Sequence, residues 1–109
     1  MATKANLVID QGATFSTDLN LTDDNGDTIP LLGYSANSQI RKWYTSSTPA
    51  ATFSTNIDTG SGVITLSLTS DQTANLVAGR YVYDVEINNG VTTSRIVEGI
   101  VTVTPQVTR

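Results

Sequence analysis

Leu76-Val77-Ala78-Gly79-Arg80-Tyr81-Val82-Tyr83-Asp84-Val85-Glu86-Ile87-Asn88 is the stretch that decides how this 109-residue chain folds. From Arg80 onward Tyr81, Tyr83, Val85 and Ile87 alternate with Val82, Asp84 and Glu86. Such period-2 alternation marks a strand with one buried face, because successive side chains leave opposite sides of the pleat. Asn88-Asn89-Gly90 then supplies a hairpin signal, since Asn and Gly tolerate the positive φ of tight turns. A last strand is expected over residues 91–103, bent at Gly99.

Upstream of this stretch, Thr69-Ser70-Asp71-Gln72 reads as a capping box, with a hydroxyl at the N-cap and Gln three positions on. It predicts one helical turn through Leu76, closed around Ala78-Gly79. Before it, Ile64, Leu66 and Leu68 alternate within 63–68, and Asp58-Thr59-Gly60-Ser61-Gly62 is a Gly-rich turn. Residues 51–56 form an expected edge strand, preceded by a polar loop over 45–49. A strand is predicted from Gly33-Tyr34 to about Tyr44, with Tyr34, Ala36, Ser38 and Ile40 on one face and Arg41 and Trp43 on the other. Pro30 marks an edge or a strand end within 28–32, because it cannot donate to a ladder. Over 13–21, Phe15, Thr17, Leu19 and Leu21 oppose Ser16, Asp18 and Asn20, and Asp23-Asp24-Asn25-Gly26-Asp27 supplies a hairpin turn. Residues 6–10 make a short first strand closed by Gln11-Gly12. Seven or eight short strands joined by tight turns, plus one helical turn, predict an all-β, immunoglobulin-like antiparallel β-sandwich. It occupies residues 1–109 as one domain.

One spacing sharpens this expectation. Leu76, Gly79 and Tyr81 are placed as in a tyrosine corner, with Tyr81 two positions before a core site that antibody domains fill with cysteine. In that reading the Tyr81 hydroxyl bonds back to backbone near Leu76, and Tyr83 supplies apolar volume where a disulfide would stand. The alternative is that both tyrosines are ordinary strand residues.

Composition narrows the function. Charged residues are 15% of the chain against the usual quarter, and Thr, Ser and Asn take their place, as suits exposed strand faces. Six cations against ten carboxylates leave a net charge of −4. Lys4, Arg41, Lys42, Arg80, Arg95 and Arg109 are dispersed rather than gathered into a stripe that would neutralise several phosphates together, so nucleic acid is not an expected partner. The chain has no cysteine, which favours assembly in a reducing cytosol. Residues 1–10 show no signal-peptide pattern and no stretch reaches the length of a membrane span, so no membrane partner is expected and Asn20-Leu21-Thr22 is a chance glycosylation match.

No catalytic, cofactor-binding or metal-binding residues are predicted. With neither His nor Cys, a Ser-His-Asp triad, a Cys-His pair or a usual zinc site cannot be built. Asp84 and Glu86 share a strand face at a separation of about 7 Å, which meets the distance for a glycosidase pair and nothing more; a solvated face explains them. Counting back from Gly26 puts Leu21 where a calcium loop needs its first ligand, and a turn accounts for the segment. Gly60-Ser61-Gly62 lacks the Lys of a phosphate loop. What remains is a contact patch, Arg41, Lys42, Trp43 and Tyr44, because Trp, Tyr and Arg dominate protein–protein hot spots. The alternative for Trp43 is the core tryptophan of a sandwich, which its parity opposes.

Val8-Ile9-Asp10-Gln11-Gly12-Ala13-Thr14-Phe15-Ser16 followed by Asp23-Asp24-Asn25-Gly26 resembles the opening of small tail-associated proteins of phages, including T4-like marine cyanophages. Leu32-Gly33-Tyr34, Ser38-Gln39-Ile40-Arg41-Lys42, Gly79 to Ile87 and Arg95 to Pro105 continue it. A looser similarity is to the N-terminal domain of phage baseplate upper proteins. The resemblance implies a non-catalytic bacteriophage virion structural protein: a tail, baseplate or neck component, assembled in the host bacterial cytoplasm. Its expected partners are other virion proteins and further copies of itself as a homo-oligomer. A capsid decoration protein and a carbohydrate-binding module for the host surface are the alternatives. Copy number per particle separates the first two, and saturable glycan binding would promote the third.

Overall fold

The computed structural model describes residues 3–21, 31–60 and 62–107; the turn expected at Asp23-Asp24-Asn25-Gly26-Asp27 and the strand expected over 28–32 with Pro30 lie largely outside them. Among the described residues the chain is all-β apart from one helical turn. Its strands are β1 (Thr3–Lys4), β2 (Leu7–Asp10), β3 (Phe15–Asn20), β4 (Ser35–Arg41), β5 (Ala51–Thr52), β6 (Ser54–Asp58), β7 (Val63–Leu68), β8 (Gly79–Asn88) and β9 (Thr93–Thr104), with α1 (Ser70–Ala74) between β7 and β8.

The alternating stretches become strands because alternation lets each one bury its apolar side. In β8 Tyr81, Tyr83, Val85 and Ile87 are buried, and in β7 Ile64, Leu66 and Leu68 are. Each such aliphatic side chain contributes roughly 1.5–3 kcal/mol relative to exposure. The strands form two sheets. The first runs β1-β9-β8-β4-β5, with β2 also on β9; the second runs β3-β7-β6. Their facing sides share one core, in which Phe53 packs 5.9 Å from Phe15 and stands edge-on to Tyr83 at 6.1 Å between ring centres.

Five departures separate the structure from the sequence expectation. First, the arrangement is not purely antiparallel: β1 and β2 run parallel to β9, from Thr3 opposite Val97 to Asp10 opposite Thr104. The split between β1 and β2 falls at Ala5-Asn6, where the Asn6 side chain takes the ladder proton of Ile100 (3.0 Å). Second, the edge strand expected over 51–56 is two strands. β5 pairs with β4 in the first sheet and β6 with β7 in the second, while the chain crosses at Phe53, whose N–H donates to Ser38 (2.9 Å). Among the described residues the strands number nine. Third, β4 stops at Arg41 instead of reaching Tyr44, because a turn closes there between Trp43 and Ser46. Fourth, β9 carries a β-bulge at Ile96 beyond the bend expected at Gly99: Val85 faces Val97 and Glu86 faces Arg95, leaving Ile96 unpaired. The β8–β9 connection is also longer than the hairpin signal suggested. Asn89 and Thr92 close it, so β9 starts at Thr93 rather than Val91.

α1 carries the expected capping box. The Thr69 hydroxyl accepts from the Gln72 N–H (3.2 Å) and the Gln72 side chain accepts from the Thr69 N–H (2.8 Å). Its buried Thr73 fastens the β2–β3 turn: the hydroxyl accepts from the Gly12 N–H (3.0 Å) and donates to the Ala13 carbonyl (2.8 Å). Gly99 serves a close approach. A Cβ there would overlap the carbonyl of Ala5, the group that accepts the Tyr83 hydroxyl (2.5 Å).

Candidate functional site

The outward face of the first sheet carries polar and charged side chains set by the ladder. Gln39, Asp84 and Glu98 lie side by side on β4, β8 and β9, and Asn37, Glu86 and Arg95 form the next row. Arg41, Val82 and Ile100 form the row on the other side. Asp84 and Glu98 face each other as like charges, an arrangement that costs stability when uncompensated. The bulge supplies the compensation. With unbroken alternation Arg95 would point inward; the extra residue lays Ile96 against the core and turns Arg95 outward, its Nε 3.5 Å from Glu98. Re-aiming one side chain is a recurrent use of bulges. This is the one ion pair among the described residues, and a partly exposed pair contributes only about 0–1 kcal/mol.

The 42–50 loop borders this face. Arg41 pins it: one guanidinium nitrogen donates to the Ser46 carbonyl (2.6 Å) and the other to Gln39 Oε1 (2.8 Å). The Trp43 N–H donates to Ser46 Oγ (3.0 Å), so the aromatic pair sits on an anchored turn. Trp43 is 66% exposed and Tyr44 75%, which places Trp43 outside the core. Lys42 reaches back, donating from Nζ to the Arg80 carbonyl (2.9 Å), with its ammonium 4.8 Å from the Tyr81 ring and 5.7 Å from that of Trp43. Exposed cation–π contacts of this kind contribute about 0.5–1 kcal/mol. Of the four contact residues chosen from sequence, Arg41 and Tyr44 border the same concavity as Asp84 and Glu86, which the sequence reading set aside as a solvated face; Lys42 and Trp43 do not line it.

A groove of 560 Å³ runs along the face from Arg41 and Tyr44 past Asp84 to Asn37, Glu86 and Arg95. Tyr44 also lines a smaller concavity of 260 Å³ with Lys4, Asn6 and Ile100. The groove offers amides, carboxylates and a guanidinium to a partner. Ser38 beneath it is buried, its hydroxyl donating to the Asp84 carbonyl (2.6 Å). Among the described residues no group of three His, Cys, Asp or Glu side chains is placed to hold a metal. No helix among them is long and apolar enough to cross a membrane.

The Tyr81 hydroxyl donates to the carbonyl of Val77 (2.6 Å), the residue that follows Leu76. The Leu76 carbonyl is taken instead by Gln11 Nε2 (2.7 Å). Gly79, at φ +146°, starts β8 immediately after this connection. Tyr83 lies in the core, where burial pushes its hydroxyl pKa up to about 12.

No family model matches the chain, and no curated protein is similar to it at a significant level.

Proposed function

We propose that the chain is a non-catalytic structural protein of a bacteriophage virion, a tail, baseplate or neck component that assembles through protein–protein contacts. The observation that carries this reading is the side-by-side exposure of Trp43 and Tyr44 on a turn that Arg41 and Ser46 hold rigid. Rigid exposed aromatics gain contact area at little entropic cost and are typical interface anchors. The phage assignment rests on the sequence resemblance. An immunoglobulin-like sandwich agrees with the strand order, since β4, β8 and β9 with β5 on one sheet and β3, β7 and β6 on the other follow the C′CFG and BED arrangement of that fold.

The test is Trp43→Ala in the phage that encodes the chain. Incorporation into purified particles, read by immunoblot, should fall at least several-fold, while the melting temperature of the isolated protein moves by no more than about 2 °C, as for an exposed site. Wild-type incorporation of the variant, or absence of the native chain from purified particles, would overturn the reading.

A further inference from the structure

The outer face of the first sheet is electrically lopsided along β8. Arg80 and Arg41 stand toward one end, and Asp84 and Glu86 toward the other, where Arg95 is already held by Glu98. Among the described residues Arg80, Arg41, Asp84 and Glu86 are in no ion pair. Arg80 and Glu86 lie six residues apart on the same side of one strand, about 20 Å at the usual rise. A face with one sign at each end matches a copy of itself turned end for end. We infer that this face is the interface of a homodimer with two-fold symmetry, the second copy lying across the first with its β8 antiparallel. The inference rests on the assembly reading above and names the occupant of the contact surface.

The geometry follows from the ladder. A two-fold axis in the plane between the sheets, passing near Tyr83, sets Arg80 of each copy opposite Glu86 of the other, so the ion pair is made twice. Arg41 and Asp84, in adjacent rows, approach across the same axis. The exposed Trp43-Tyr44 turn flanks the Arg41 end of the groove, while Val82 and Ile100 supply apolar area at the middle of the face. An isologous interface demands self-complementarity of this kind.

Sedimentation velocity of the full chain over a micromolar to submillimolar range tests this. Wild type should shift from monomer toward dimer with concentration and back toward monomer in about 1 M NaCl, where the Debye length is about 3 Å. The variants Asp84→Lys/Glu86→Lys and Arg80→Glu should each be folded by circular dichroism and monomeric, and their equimolar mixture should dimerise. Trp43→Ala should weaken the dimer about tenfold or more. A wild-type chain that stays monomeric throughout, or a mixture that fails to restore association, overturns the dimer. If Trp43→Ala still abolishes entry into particles in that case, the assembly reading stands and the occupant is another virion protein. Saturable glycan binding that Asp84→Lys/Glu86→Lys abolishes in such a monomer would give the groove to a saccharide.

Discussion

The two sheets are built to different standards of regularity. In the second, β3 pairs with β7 from Phe15 opposite Leu68 to Asn20 opposite Val63, and β6 pairs with β7 from Ser54 to Asp58, without a register break. The first contains a bulge at Ile96, a close backbone approach at Gly99, an interrupted parallel strand at its margin and an edge strand of two residues that leaves at Phe53. The charged groove and the aromatic turn both sit on the first sheet. The regular sheet is a platform, and the irregular one has been bent to aim side chains outward. Each irregularity is a local cost that the shared core must offset.

That contrast can be broken most severely at Gly99. Gly99→Ala drives a Cβ into the Ala5 carbonyl, so β1 must leave β9 or the strands must part. The expected loss is about 3 kcal/mol, the upper range for overpacking, read from the midpoint of urea unfolding. Tyr83→Phe acts on the same junction more gently. It strips the Ala5 carbonyl of its buried donor and should cost about 1–2 kcal/mol at pH 7. The same hydroxyl sets a pH limit. Its folded pKa of about 12 exceeds the ordinary value of 10.0, so below pH 10 both states hold the proton and stability is complete. Above pH 10 the unfolded chain ionises first, and stability falls until the pH passes about 12, by roughly 2–3 kcal/mol in all. Unfolding curves of Tyr83→Phe taken across this window should lack that component of the decline. A wild-type slope retained in the variant would assign it to other groups. The smallest effect belongs to the regular sheet. Thr65→Ala removes an exposed hydroxyl that donates to Asp18 (2.7 Å), and the shift should stay within about 0.5 kcal/mol.

Strand identity was legible wherever one face is buried and the other wet, as in β3, β7 and β8, and the helix start was legible from Thr69 and Gln72 because capping is local chemistry. Partnership was not. Nothing in the alternation of residues 6–10 says that they lie parallel to a strand some ninety residues away. The Ile96 bulge did leave a trace, since Arg95-Ile96-Val97-Glu98 sets two apolar residues between charges and breaks period 2. Of the site, Arg41 to Tyr44 stood out by residue type, and their exposure follows from the early end of β4. Glu98 and Arg95 joined Asp84 and Glu86 only through the β8–β9 register, which residue types cannot specify.

The pairing of β1 and β2 with β9 also orders events in time. Residues 3–10 are synthesised well before their partners in β9, at a separation of 94 residues. Closing a loop of that length carries its entropic cost before any contact rewards it. Residues 3–10 therefore stay without their ladder partners until β9 is made, and their docking closes a long loop across the first sheet.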